Sequence, residues 1–355
     1  MKASAFAMTA VGEPLVPTQV DLGTAGSDQA IVEVLGCGVC HTDLGFLHDG
    51  VPTRHSLPLV LGHEVVGKVV ADGGPDKSLR DRIVIVPAVL PCGSCELCHR
   101  GRGDICRQQV FPGNDDHGGF ASHLKVPRMG LCPVPTDRIE SERIPDLAVV
   151  ADAVSTAFQA VKKSQLKAGD FAVFVGVGGV GGFGVQIARA LGARVLAIDV
   201  DDSRLGKIGE HGAEWTLNSA GFTPGELKKE VRKLAKIAGI NLMEWKVFET
   251  SGNPAGQETA FALLTHGGYL GVVGYSRKPA TVPLSHLMAF AARAEGTWGC
   301  SPDLFPEVLE LVVSGQVRVT PFVKRFPMSK LNDVMDRLHS HDLGERPVMV
   351  PDFAN

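Results

Sequence analysis

Residues 171–205 read FAVFVGVGGVGGFGVQIARALGARVLAIDVDDSRL. An apolar, β-rich run from Phe171 to Val175 passes into Gly176-x-Gly178-x-x-Gly181, then into the helix-like GFGVQIARALGA, and returns to a second run, RVLAI, that ends in Asp199. This order predicts a βαβ unit with a dinucleotide-binding turn between its first strand and its helix. Gly176 permits the tight turn, Gly178 lets backbone approach a pyrophosphate, and Gly181 lets helix pack on strand. Gly179 and Val180 complete a turn that points the positive end of the helix dipole at the phosphates. Asp199 lies 18 residues after Gly181, close to the roughly 20 expected for an acid that accepts hydrogen bonds from the adenosine ribose. A carboxylate there repels a 2′-phosphate, which favours NAD over NADP. Arg204, five residues further on, is either a contact along the adenosine or a solvated arginine at a helix start.

The same stretch disposes of a membrane reading. Phe171 to Ala188 is 18 residues without a charge, long enough for a spanning helix, but six glycines interrupt it where a phosphate-binding turn needs them.

Outward from the turn, strands and helices alternate. ELKKEVRKLAKIAG reads as a charged amphipathic helix, WKVFETSG as a strand, GQETAFALLTH as a helix and GGYLGVVGYS as a further strand. Such alternation indicates a doubly wound parallel sheet. Residues 1–150 instead carry short β-like runs (QAIVEVLG, LVLGHEVVGKVV, RIVIVPAV) between Gly/Pro turns. After Gly299 come a helix, LFPEVLELVVSGQV, and short segments ending in RPVMVPD. The expected fold is therefore α/β, with a Rossmann NAD-binding domain over 154–296 inserted into a β-rich domain of 1–153 and 297–355.

Composition bounds the function. The chain has 355 residues, 44% hydrophobic and 21% charged, with net charge −4 and both signs interspersed. No Lys/Arg run is dense enough to track nucleic-acid phosphates, so small molecules are the expected partners. The N-terminal MKASAFAMTAVGEP lacks the apolar core of a secretory signal, which implies a reducing cytoplasm. Eight cysteines there are expected as metal thiolates or buried thiols, not disulfides.

Four of them, Cys92, Cys95, Cys98 and Cys106, are spaced C-x2-C-x2-C-x7-C. Four soft ligands in one loop saturate a tetrahedral zinc, leaving it structural. An iron–sulfur cluster also takes four cysteines, and spacing alone does not separate the two. A catalytic metal must then find ligands elsewhere. The candidates are Cys40 in GCGVCHTD, His63 with Glu64 in LGHEVVGKVV, and Asp152 in ADAVSTAF.

GCGVCHTD, GHEVVGKV, the four-cysteine loop, GVGGVG and AIDV, in this order, resemble the zinc-dependent medium-chain alcohol dehydrogenase family across essentially the whole chain. The resemblance implies that the β-rich domain is the GroES-like catalytic domain, and that Cys40, His63 and Asp152 hold a catalytic zinc. Many members have cysteine at the third position, but a carboxylate oxygen is an acceptable zinc ligand. Glu64 is then either an outer partner or an exchangeable fourth ligand. Thr42 resembles the family hydroxyl that takes the proton from the alcohol; the alternative is a threonine capping a helix that starts near Asp43. Where many relatives continue the relay with histidine, this chain has Gly45, so the proton leaves by another route, through His41 or His48, or the acid–base demand differs.

HDGVPT, FPGNDDHGGFASH and GTWGC are further similar to the 6-hydroxycyclohex-1-ene-1-carbonyl-CoA dehydrogenases, which oxidise a ring hydroxyl on a CoA thioester. That resemblance makes Asn114 and His117 candidate substrate-facing groups, and Arg54 or Lys278 candidate contacts to CoA phosphates. The implied cofactors are NAD and two Zn2+ per chain, one catalytic and one structural. The resemblance also implies a homo-oligomer, a dimer or tetramer, with edge-strand pairing near GGYLGVVGYS. Rival readings are a secondary alcohol or polyol dehydrogenase acting on free substrates, a zinc hydratase or lyase adding water to a conjugated enone, and a non-catalytic NAD-sensing zinc protein. No assigned role falls to Cys37, Cys132 or Cys300.

Overall fold

The computed structural model describes residues 1–353. They form two compact units. The first comprises Met1–Ser155, Gly299–Val313 and the residues from Val319 on; the second comprises Thr156–Trp298 and Ser314–Arg318.

The chain enters the first unit with strands β1 (Lys2–Met8), β2 (Val16–Asp21) and β3 (Gln29–Gly38), then the short helix α1 (His41–Leu47). Strands β4 (Leu59–Val60), β5 (Glu64–Asp72) and β6 (Ile83–Val86), helix α2 (Glu96–His99), and strands β7 (His123–Pro127) and β8 (Cys132–Pro133) follow. Helix α3 (Ala153–Lys163) leads into the alternating part: β9 (Phe171–Val175), α4 (Gly179–Ala190), β10 (Arg194–Asp199), α5 (Asp202–Gly209), β11 (Trp215–Asn218) and α6 (Pro224–Ile237). Next come β12 (Lys246–Glu249), α7 (Pro254–Ala262), β13 (Tyr269–Val272), α8 (Ser285–Ala289) and β14 (Arg293–Gly296). The chain then returns to the first unit with α9 (Phe305–Val313), β15 (Val323–Pro327), α10 (Leu331–His339) and β16 (Arg346–Val350).

In the first unit a seven-stranded sheet runs β15-β16-β3-β5-β6-β8, with β7 added against β3, and a three-stranded sheet runs β2-β1-β4. Strand β3 is the hub, paired antiparallel with β5, β7 and β16. The last of these partners comes from the far end of the sequence, so the core here includes Val32, Val65 and Val84 alongside Met335 and Met349.

The second unit is one parallel sheet in the order β11-β10-β9-β12-β13-β14. Strand β9 lies between β10 and β12, and all five of its residues are buried. A strand covered on both faces reads as a continuous apolar run, which is why FAVFV shows no alternation. Helix α6 shows the opposite pattern. Thr223 caps it in a capping box with Glu226, and only Leu227, Val231 and Ala235, one stripe at four-residue spacing, are buried.

One expectation is corrected here. The GGYLGVVGYS strand, β13, is not an edge, because β12 and β14 flank it. The edge strand on that side is β14, whose sequence RAEG is too short and charged to signal a strand locally; β11 is the other edge. No single helix among the described residues is long and apolar enough to cross a membrane.

Phe174 and Phe248 stack at 4.6 Å between ring centroids across β9 and β12, both buried. Phe248→Ala is expected to destabilise the second unit by about 3–5 kcal/mol. Tryptophan fluorescence during denaturant unfolding reads this, because all three tryptophans, Trp215, Trp245 and Trp298, lie in that unit.

Candidate metal and nucleotide sites

Three donors distant in sequence meet in the first unit. Cys40 follows β3 and stands at the N-cap of α1, His63 directly precedes β5, and Asp152 directly precedes α3. Their ligand atoms all lie within 4.8 Å of one another, with His63 Nε2 3.6 Å from Asp152 Oδ2. Both His63 ring nitrogens are buried without a hydrogen-bond partner among the described residues. Burial opposes charge on this ring, yet Asp43, together with Asp152 and Cys40, raises its pKa well above 6.5. Two carboxylates against one buried imidazole favour positive charge between them, and a thiolate, an imidazole and a carboxylate are a donor set that zinc accepts.

Asp43 is the organiser that the sequence reading missed. It is fully buried; Cys40 N–H donates to its Oδ2 at 2.9 Å and Gly62 N–H to its Oδ1 at 3.1 Å. Oδ1 also stands 3.4 Å from His63 Nδ1. The one local signal is spacing: Asp43 is the N3 residue of a helix N-capped by Cys40, where a carboxylate reaches back to the N-cap amide. The helix therefore begins at His41, earlier than Asp43, and Thr42 lies in its first turn rather than at its cap. Thr42 is exposed, and the Cys40 thiol points to its hydroxyl at 3.6 Å.

Glu64 is held away from the donors. Arg346 donates to it twice, Nε to Oε2 at 2.8 Å and Nη2 to Oε1 at 2.6 Å, and Ala153 N–H donates to Oε1 at 3.0 Å. Burial disfavours the Arg346 charge, but Glu64, together with Cys40 and Asp152, more than offsets this and holds the guanidinium well above its ordinary value. Glu64 thus ties down the residue next to Asp152. The fit leaves no room for a side chain at Gly38, where a Cβ would overlap the Glu64 carboxylate. No sequence signal links Glu64 to an arginine 282 positions away.

The cysteine loop is a different kind of cluster. Sulfur–sulfur distances are 3.5 Å for Cys95–Cys98, 3.6 Å for Cys92–Cys106, 3.8 Å for Cys95–Cys106 and 3.9 Å for Cys92–Cys98. A tetrahedron with metal–sulfur bonds of about 2.3 Å has edges of about 3.8 Å, so these four sulfurs fit a structural zinc. Hydrogen bonds from the Ser94 backbone and hydroxyl pull the Cys92 thiol down to about 6, whereas burial and then Cys95 push the Cys98 thiol up to about 12. No disulfide joins any of the eight cysteines.

In the second unit, Gly178 is the N-cap of α4. Gly176 adopts φ +88°, which favours glycine. Asp199 ends β10, buried, and accepts from Val177 N–H at 2.7 Å and from Val200 and Asp201 N–H at 2.8 and 3.1 Å. Arg204 reaches towards the turn: its Nη1 lies 3.8 Å from where a Cβ on Gly178 would stand, while its Nε is 3.6 Å from Asp201. Gly179, Val180 and Gly181 form the first turn of α4.

The remaining candidates divide. Loop 111–120 is hydrogen-bonded along Val60–Gly62, and Phe111 packs on the His63 ring at 5.0 Å. Within it, Asn114 holds the neighbouring segment, accepting from Arg54 and His55 backbone N–H. His117 Nδ1 accepts from Val60 N–H at 3.2 Å, so its neutral ring presents Nε2 as a donor. Burial first, and then His55, lower its pKa. Arg54 pairs with Asp115 at 3.2 Å, and Lys278 is exposed. Beside Gly45, Val51 fills the space, its Cγ2 3.4 Å from where a Cβ would be. His48 is turned onto His339 at 4.6 Å, with Nε2 buried, whereas His41 is exposed and stacks on His341 at 6.1 Å.

Residues 26–136 match the alcohol dehydrogenase GroES-like domain, and residues 179–314 match the zinc-binding dehydrogenase domain. An alcohol dehydrogenase of Moraxella sp. strain TAE123 is 30% identical over 344 residues, covering 95% of this chain and 96% of that protein. One from Geobacillus stearothermophilus is 28% identical, covering 96% and 97%. The crystal structure of the alcohol dehydrogenase from the archaeon Aeropyrum pernix superposes with a TM-score of 0.87 at 29% identity, over 98% of this chain and all of that one, 100%. The chain belongs to the zinc-dependent medium-chain alcohol dehydrogenase family. It is an oxidoreductase of the zinc-dependent alcohol or polyol dehydrogenase type, with a nicotinamide cofactor.

The two clusters predict different lesions. Cys40→Ser is expected to keep its fold and about half of the bound zinc while losing turnover, whereas Cys98→Ser loses metal and thermal stability together. Metal content and melting temperature of both variants check this; equal loss of folding would defeat the division.

Proposed function

We propose that this chain is an NAD-linked dehydrogenase of secondary alcohols, in which Cys40, His63 and Asp152 hold the catalytic zinc and the cysteine loop holds the structural one. The observation that carries the reading is the count of donors. Three converge on one point, while the neighbouring carboxylates are engaged elsewhere: Glu64 by Arg346 and Ala153, and Asp43 by the Cys40 and Gly62 amides. Three protein ligands are the catalytic pattern, four the structural one. Zinc in such a site supplies Lewis acidity that lowers the pKa of a bound hydroxyl.

The chain's own residues do the rest. Thr42, beside Cys40 and exposed, takes the substrate proton through its hydroxyl. With Val51 occupying the space at Gly45, the proton leaves by His41, which is exposed, rather than by His48, which is turned inward. Asp43 holds His63 and the Cys40 backbone in register. Gly176, Gly178, Gly179, Val180 and Gly181 present the diphosphate turn, with Arg204 alongside the adenosine. Asp199 places a carboxylate where NADP would bring a second negative charge.

For the substrate we propose a ring allylic alcohol on a CoA thioester, 6-hydroxycyclohex-1-ene-1-carbonyl-CoA, oxidised to the 6-oxo product. The support is the resemblance of HDGVPT, FPGNDDHGGFASH and GTWGC, and the placement of His117, a neutral donor on a loop zipped to the segment before His63. The family relatives described above are named as alcohol dehydrogenases, so free secondary alcohols and polyols are the alternative. The oligomer expected from the family resemblance would form through β14 and the exposed Trp298 that follows it.

Nicotinamide absorbance tests these readings directly. Incubation with NAD and the thioester should form one NADH per product, with NAD preferred over NADP by at least about tenfold. Turnover of free alcohols with none on the thioester would remove the CoA assignment, and product without NADH would support hydration instead. Thr42→Val should lower kcat about 100-fold with zinc content unchanged, and Thr42→Ser should restore it.

A further inference from the structure

The peptide between Gly176 and Val177 is held at both polar ends. Its N–H, on Val177, donates to Asp199 Oδ2 at 2.7 Å. Its C=O, on Gly176, accepts from the hydroxyl of Thr250 at 2.5 Å. That hydroxyl also stands 3.2 Å from the Val175 carbonyl, so its one proton is shared with Gly176 as the nearer acceptor.

Thr250 is itself immobilised. It follows β12, and its backbone N–H continues the ladder by donating to Val175 O at 2.9 Å. On one side Glu249, buried, accepts from Ser251 N–H, the Ser251 hydroxyl and Gly252 N–H at 2.8, 2.6 and 3.0 Å. The turn after β12 is thus a rigid platform pressed against the glycine turn. A Cβ on Gly176 would fall on the Ser251 backbone at 2.6 Å. A Cβ on Gly181 would overlap the Gly176 carbonyl and come within 2.6 Å of the Thr250 hydroxyl. Two of the fingerprint glycines therefore leave room for this contact as well as for the helix.

A glycine at positive φ has the most freedom to rotate its peptide, and the orientation of this one sets where the following N–H groups point. We propose that Thr250 is a positioning residue for the nicotinamide dinucleotide: by holding the Gly176 carbonyl opposite the Asp199 grip on Val177 N–H, it aims the backbone N–H groups of Gly178–Gly181 at the diphosphate. The inference rests on the reading of Gly176–Gly181 as the diphosphate turn.

Binding of NADH to the zinc-loaded protein, followed by nicotinamide fluorescence, tests it with Thr250→Val, Thr250→Ala and Thr250→Ser. Valine keeps the shape and removes the hydroxyl. Its Kd for NADH should rise about tenfold, as should that of alanine, with KM for NAD rising in parallel, kcat within about twofold, and serine within about twofold of the original protein. Melting temperature and zinc content identify any variant that fails to fold, and alanine against serine then decides. Equal Kd across the variants, or a loss in serine as large as in alanine, would overturn the role of Thr250. Absence of NADH binding by the unaltered protein would instead overturn the reading of the turn.

Discussion

A carboxylate with no exposed surface must take its hydrogen bonds from the protein, and the first unit's donor cluster depends on how Asp43 takes them. Its two oxygens accept from the amides of Cys40 and Gly62 and face His63, so one side chain joins the end of β3 to the start of β5. Glu64 does the same for the third donor through Ala153, and its own burial is tolerable because Arg346 meets it in a bidentate pair. Arg346 opens β16, which pairs with β3, so the last strand of the sheet supplies the charge that steadies the site.

The two cysteine-containing clusters differ for the same reason that their chemistry differs. The loop cluster draws four sulfurs from one segment, Cys92 to Cys106, with edges near those of a zinc tetrahedron, and has no donor left to give. The other draws one donor each from three segments and has a neighbouring carboxylate already engaged. Local closure suits holding a loop, and a partly completed shell suits chemistry.

The second unit repeats the use of buried carboxylates as clamps. Asp199 and Glu249, at the ends of β10 and β12, each accept several backbone N–H groups and so fix the turns on either side of β9. The glycine-rich turn between them would otherwise be the softest part of this end of the sheet.

Much of this was legible in the linear chain. The continuous apolar run of β9, the glycine spacing, the acid at the end of β10 and the four close cysteines are local patterns whose period and spacing carry their meaning without partners. The grouping of Cys40, His63 and Asp152 came from family resemblance rather than from spacing, and the structure brings those three side chains together. What no local pattern carried was the set of contacts between distant segments: Arg346 on Glu64, Asp43 as the shared acceptor, Thr250 on Gly176, and β14 rather than β13 as the sheet edge. Such contacts depend on which buried polar group lies nearest once the strands are paired. Burial makes an unpaired polar group costly, but only the tertiary structure decides which partner it takes.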